Sequence, residues 1–159
     1  MIRQDTDYAL RVLVDIGAGG GTRTTVRELS ARQEVPLSFA QKILRRLARA
    51  GILNVKAGRQ GGFALARSPG TISLMEVITV IQGRPLLSNC MKGAGHCHRQ
   101  KFCPISGHLR GFQNKLEELF EKATLADLIA SAAGHPPVKS NPSRRPSKTR
   151  PGLSRGHKQ

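Results

Sequence analysis

Residues 38–66 run Ser38-Phe-Ala-Gln-Lys-Ile-Leu-Arg-Arg-Leu-Ala-Arg-Ala-Gly51, Ile52-Leu-Asn-Val-Lys-Ala57, Gly58-Arg-Gln-Gly-Gly62 and Phe63-Ala-Leu-Ala66. Ser38 and Gln41 have the spacing of a capping box, in which a side-chain oxygen takes a free first-turn amide and the Gln reaches back. This predicts a helix from Ser38 to Gly51. Ile43, Leu44 and Leu47 recur at three- and four-residue steps and can face a core, while Gln41, Lys42, Arg45, Arg46 and Arg49 lie mostly elsewhere. Ile52–Ala57 and Phe63–Ala66 read as short strands around a glycine-rich tip that carries Arg59.

Upstream, Thr25-Val-Arg-Glu28 is a second capping box. It opens a short helix to about Gln33, and Pro36 marks a tight turn before the next helix. Short helix, turn and basic helix outline a helix-turn-helix, and a hairpin directly after the second helix is the wing of a winged helix. Ahead of both, Leu10, Val12, Leu13 and Ile16 give helical spacing from Asp7 to about Gly17, where Gly17–Gly21 ends it.

Downstream, Pro69-Gly70 separates the wing from a helix headed by the capping pattern Ser73–Glu76, with Met75, Val77, Ile78 and Ile81, ending at Gly83 and Pro85. After a loop, Ile105, Leu109, Phe112, Leu116, Leu119 and Phe120 form one narrow apolar seam on a helix from about Pro104 to Lys122. Thr124–Asp127 starts a last helix through about Ala130. The long seam suits antiparallel pairing into a homodimer, because two-fold DNA readers place paired half-sites on one face. The expected fold is mostly α with a small β wing: a winged helix-turn-helix over residues 1–70, a cysteine loop and dimerisation helix over 71–133, and a tail over 134–159.

The chain of 159 residues has 26 Lys and Arg against 10 Asp and Glu, a net charge of +16. From His135 onward there are seven basic residues, no acid and five prolines, which predicts a disordered tail. Residues 1–134 keep 19 basic and 10 acidic residues, so the body is basic in its own right. One-sided charge points to a polyanion, here double-stranded DNA. No apolar window is long enough to span a membrane, and the N-terminus lacks a signal-peptide core, so a cytoplasmic location is expected. No set of nucleophile, base and orienting group is visible, which argues against an enzyme.

The cysteines are Cys90, Cys97 and Cys103, separated by six and five residues in a loop with Gly93, Gly95, His96 and His98. An odd number does not suit a disulfide framework. Structural zinc sites usually contain a pair of cysteines two to four residues apart, and none exists here. The wider spacing suits an iron–sulfur cluster, with zinc and a thiol redox switch as the alternatives. Three sulfurs leave a fourth ligand to be found, either a nearby His (His96, His98 or His108) or a carboxylate from elsewhere.

Taken in order, Asp7-Tyr-Ala-Leu-Arg11, the helix-turn-helix, the wing Gly58-Arg-Gln-Gly-Gly-Phe-Ala-Leu65, the three cysteines before a long helix and Thr124-Leu-Ala-Asp-Leu128 resemble the Rrf-two family of bacterial transcription regulators over residues 1–130. The resemblance implies a homodimeric, operator-binding repressor or activator, read first as a repressor, with one iron–sulfur cluster (4Fe–4S or 2Fe–2S) per subunit on Cys90, Cys97 and Cys103. In the iron–sulfur-biogenesis branch a His follows the last Cys by three residues; here that residue is Ser106, and His108 stands two further on. The nitric-oxide-sensing branch uses an Asp of the partner subunit's first helix, which matches Asp7. The resemblance therefore leans to nitric-oxide sensing, with redox or cluster supply as other signals. Ser38 and Gln41 are placed for base edges and Lys42, Arg45 and Arg59 for phosphates. Ala57 stands where the family wing carries Arg, so Lys56 or Arg59 takes that role.

Overall fold

The computed structural model describes residues 2–58, 61–93, 99 and 102–134; Arg59, Cys97 and the tail from His135 onward lie outside the described residues. Among the described residues, six helices and one hairpin follow each other: α1 (Gln4–Ala18), α2 (Val26–Arg32), α3 (Leu37–Arg49), β1 (Leu53–Lys56), β2 (Gly62–Leu65), α4 (Leu74–Gln82), α5 (Pro104–Lys122) and α6 (Leu125–Ala133). Single 3₁₀ turns occur at Pro69–Thr71 and Asn89–Met91. The expected class, mostly α with a small β wing, is the observed one.

α1 buries Ala9, Val12, Leu13 and Ile16, the three- and four-residue stripe of an amphipathic helix. It packs against α3, α4, α6 and β2. Its start lies three residues before Asp7. Thr6 is fully buried, and its hydroxyl donates to Gln82 Oε1 at 2.7 Å, so a tertiary bond extends a segment without apolar periodicity.

α2 opens with the expected capping box: the Glu28 amide donates to Thr25 Oγ1 at 3.3 Å, and the Thr25 amide donates to Glu28 Oε2 at 2.7 Å. The box expected at Ser38 does not form. α3 begins at Leu37 with Pro36 as its N-cap and no side-chain cap bond. Pro36 has φ −54, and its carbonyl accepts the Ala40 amide at 3.0 Å. The proline's fixed geometry starts the helix one residue early and carries Ser38 into the exposed first turn. At Ser73 half a box forms, because the Glu76 carboxylate is engaged by Arg67.

β1 and β2 pair antiparallel with Leu53 opposite Leu65 and Lys56 opposite Gly62. Thr24 adds a bridge to Phe63, with reciprocal N–H to O bonds of 3.0 and 2.9 Å. This close approach explains Gly62: its φ is +138, and a Cβ there would stand 2.8 Å from the Thr24 carbonyl oxygen. α6 reaches Ala133, three residues beyond expectation. It is tied back by the Leu125 amide on Ile72 O at 2.8 Å, and the preceding Ala123 carbonyl accepts the Leu74 amide at 2.9 Å.

The core comprises the inner faces of α1, α3 and α4 with Leu29, Ile52, Leu53, Ile72 and Leu125. Leu44, on α3, has 0% exposure. Leu44→Ala is expected to cost about 2–5 kcal/mol, because the close-packed helices around it cannot fully collapse into the gap. Urea unfolding with an unchanged m-value checks this.

Candidate nucleic-acid interface and metal centre

α3 separates its residues sharply. Ala40, Ile43, Leu44 and Leu47 are buried, while Ser38, Gln41, Lys42, Arg45 and Arg49 are exposed. Positions 38, 42, 45 and 49 share one face because their steps of four, three and four match the helical repeat. The helix contains no acidic residue, so every charge on its outer face is positive. Arg49 completes the stripe, and the same spacing from Arg45 makes it recognisable in the sequence.

Lys56 ends β1, exposed where the strand enters the tip of the wing. The Gly61 amide closes the tip on Gly58 O at 2.9 Å. Arg23, which periodicity does not single out, reaches the same wing by donating to Gly62 O at 3.3 Å. Phe39 leans edge-on against Tyr8, with ring centroids 6.3 Å apart, so α3 touches the first turns of α1 beside Asp7.

Arg46 departs from the basic stripe. Its Nη1 donates to the Ile81 carbonyl at 2.7 Å, at the end of α4. The last carbonyls of a helix lack intrahelical partners, so this guanidinium acts as a cap for a different helix.

Two of the three cysteines lie in the described residues. Cys90 sits in the 3₁₀ turn Asn89–Met91 and Cys103 is the N-cap residue of α5. Both are half-buried and outside any disulfide. The Cys90 thiol donates to Ser88 Oγ at 3.3 Å. Cys103 lies at a helix N-terminus, where free amides and the macrodipole face an anionic ligand. Ser106 Oγ donates to the Cys103 carbonyl at 2.9 Å. Cys90 and Cys103 flank Cys97 in the sequence, and thiol sulfur is the donor type that a soft metal or cluster takes.

Among the described residues no three His, Cys, Asp or Glu side chains come together, so Asp7 is not gathered with Cys90 and Cys103 inside one chain. Asp7 is 47% exposed in the first turn of α1 and pairs with Arg11 at 3.0 Å. His108 is exposed on α5. Five residues turn a helix by about 140° beyond a full turn, which places His108 well round the axis from Cys103.

α5 carries two apolar rows in place of the single seam expected. Leu109, Leu116 and Phe120 are half-buried, whereas Ile105, Phe112 and Leu119, seven residues apart, are 62%, 59% and 65% exposed. The inner row contains Gln113, buried to 2% exposure. Its Oε1 accepts the Leu87 amide at 2.9 Å, and its Nε2 donates to Pro85 O at 2.7 Å and Glu117 Oε1 at 2.6 Å. Arg84 makes a two-pronged pair with Glu117 at 2.5 and 2.8 Å. The Arg84 hydrogen bond holds the Glu117 carboxyl below its ordinary range, against the opposing effect of burial. A polar residue within an apolar row is the signal by which Gln113 could be found from sequence.

The family model described as Rrf2, iron-dependent transcriptional regulator, matches residues 2–131. The chain is 30% identical over 129 residues to protein aau3 of Rhizobium meliloti (strain 1021), covering 80% of this chain and 84% of that one. It is 25% identical over 123 residues to the HTH-type transcriptional regulator IscR of Enterobacter sp. (strain 638), covering 77% and 75%. Among solved structures, T. potens IscR superposes with a TM-score of 0.66 at 22% identity, over 83% of this chain and 88% of that one. CymR, the global cysteine regulator of B. subtilis, gives 0.66 at 19% identity, over 82% and 97%. No helix of the described residues is long and apolar enough to cross a membrane. The family match over most of the chain and the shared fold have one conclusion: the chain belongs to the Rrf2 family of transcriptional regulators.

Proposed function

We propose that this Rrf2 regulator binds a two-fold DNA operator as a homodimer and represses from it. Its affinity is controlled by an iron–sulfur cluster on Cys90, Cys97 and Cys103, with Asp7 of the partner subunit as the fourth ligand. The observation that carries this reading is the pair of half-buried, unbridged cysteines that flank Cys97 in the sequence, one of them at the N-cap position of the helix that presents an apolar face. It is supported by the exposed, acid-free face of α3 and the wing beside it.

The division of labour runs along the chain: residues 1–70 read DNA, 71–133 hold the cluster and the dimer, and 134–159 add non-specific attraction to phosphates. Ser38 and Gln41 face base edges, and Gln41 can pair bidentately with adenine. Lys42, Arg45, Lys56 and Arg59 neutralise phosphates. The exposed row Ile105, Phe112 and Leu119 has the seven-residue repeat that a partner helix covers.

Asp7 suits a ligand donated across the dimer, because within its own chain it is half-exposed and not gathered with both Cys90 and Cys103. His108 fits less well, since the helix turns it away from Cys103. When bound, the cluster supplies reactivity towards nitric oxide, and an oxygen ligand holds one iron more weakly than a thiolate. Operator binding and cluster binding are then coupled free energies, and the coupling is reciprocal. A cytoplasmic site of action accompanies this role.

Anaerobically purified protein is expected to be coloured, to contain iron and acid-labile sulfide, and to bleach with nitric oxide. Asp7→Ala should hasten cluster loss and alter that reaction; unchanged behaviour would transfer the ligand role to His108. Colourless protein with stoichiometric zinc and no sulfide would make it the cluster-free regulator, with the cysteines serving zinc or a thiol switch.

Lys42→Ala is expected to weaken binding to all DNA sequences alike and to reduce the salt slope by about one per subunit. Gln41→Ala should instead relax preference at one base pair, by about 1–3 kcal/mol. Gel retardation across a salt series separates the two. Truncation after Ala133 should lower non-specific affinity and leave operator preference intact, which competition with unrelated DNA measures.

A further inference from the structure

The end of α4 is tied to three other helices over seven consecutive residues. The Ile81 carbonyl accepts Arg46 Nη1 of α3 at 2.7 Å. Gln82 Oε1 accepts the Arg3 amide at 2.8 Å and the Thr6 hydroxyl at 2.7 Å, both at the start of α1. Gly83 then turns the chain with φ +83 and open space around the position of a Cβ. Arg84, Pro85 and Leu87 are gripped by Glu117 and Gln113 of α5. Cys90 follows three residues later.

We propose that residues 81–87 are a strap that transmits the state of the cysteine loop to the DNA-facing helix, with Arg46 as the contact that it holds or releases. The proposal rests on the reading above, that a metal centre on the loop governs DNA binding.

Three physical points support it. First, α5 is one rod bearing both Cys103 at its N-cap and the Gln113–Glu117 anchor. Cys90 is therefore referenced to Cys103 through that anchor. Second, only Ser88 and Asn89 separate Leu87 from Cys90, and the Met91 amide donates to Ser88 O at 3.1 Å to close a 3₁₀ turn over this link, so it is short and compact and a movement of Cys90 is passed to the strap. Gly83 is the joint at which it turns. Third, Arg46 has two alternative classes of partner. It lies next to the phosphate-facing stripe, still exposed, yet its guanidinium is committed to a carbonyl. A hydrogen bond weakens steeply when its angle is lost. A turn of the α4 end therefore frees a cation four residues from Lys42. Holding and release are two discrete arrangements, which a coupling element needs.

The test compares cluster-loaded and cluster-stripped full-length protein on a duplex that the wild type has selected from a random pool, across a salt series. In the wild type the two forms should differ in affinity, and their salt slopes should differ by about one phosphate per subunit. Arg46→Met should equalise the slopes and reduce the affinity ratio by about fivefold or more. Arg84→Met, at the other end, should shrink the same ratio, and the double variant should add little, because both cut one path. Neither residue belongs to the buried core, and thermal unfolding checks that both variants fold.

An Arg46→Met protein that keeps the wild-type ratio would overturn the strap and leave Arg46 as a helix cap. Equal weakening in both forms would overturn it too, and make Arg46 a permanent phosphate ligand. Loaded and stripped wild type binding alike would overturn the underlying reading as well, an outcome visible before any variant is made.

Discussion

Burial of the apolar stripe of α1 is the constraint on which the remaining architecture depends. Ala9, Val12, Leu13 and Ile16 are at most 1% exposed, and the helix touches α3, α4, α6 and β2. Each large side chain among them contributes about 1.5–3 kcal/mol on burial. That term has no direction, so it gathers the helices without orienting them. Orientation comes from polar contacts around the rim. Asp15 accepts both Arg32 Nε and Nη2 at 3.0 Å and Gln33 Nε2 at 2.9 Å, which fixes the end of α2 against α1. Exposed ion pairs are worth little singly, but a bidentate pair with a carboxylate only 14% exposed is a geometric restraint. With its inner face spent on this core, α3 has its basic face left exposed.

α5 shows how one helix serves two purposes. Its inner row and Gln113 hold it to its own chain, while Ile105, Phe112 and Leu119 remain uncovered. Burying a carboxamide costs free energy unless its groups are bonded, and Gln113 meets this through Pro85, Leu87 and Glu117. The bonds specify where the chain leaving α4 must lie. A leucine at that position would bury as much area and specify nothing, so a polar residue in the apolar row is matched to positioning the cysteine loop.

Much of this architecture was legible because its signals are local. The Thr25 box, the termini of α5 and the glycine-rich tip depend on neighbours within a few residues, and they form where spacing predicts. Ser38 and Gln41 have the same spacing and fail, because Pro36 competes for the cap with a geometry fixed by its ring. The α5 seam was visible as apolar residues at steps of three and four, but the split into inner and outer rows was not, since adjacent rows differ only in which neighbour covers them. Asp7 was legible as an acid at the start of a helix; that it is not gathered with both Cys90 and Cys103 within the chain required the fold.

By itself, the sequence determined the order of elements, the basic character of α3 and the presence of three thiols in one loop. These follow from composition and from short-range periodicity. Tertiary structure alone decided which cations remain free. Arg45 and Arg46 are adjacent and chemically identical, yet one faces outward and the other caps α4. The physical reason is that a long flexible cation takes whichever acceptor the fold brings within reach, and the acceptor here is a carbonyl 35 residues away.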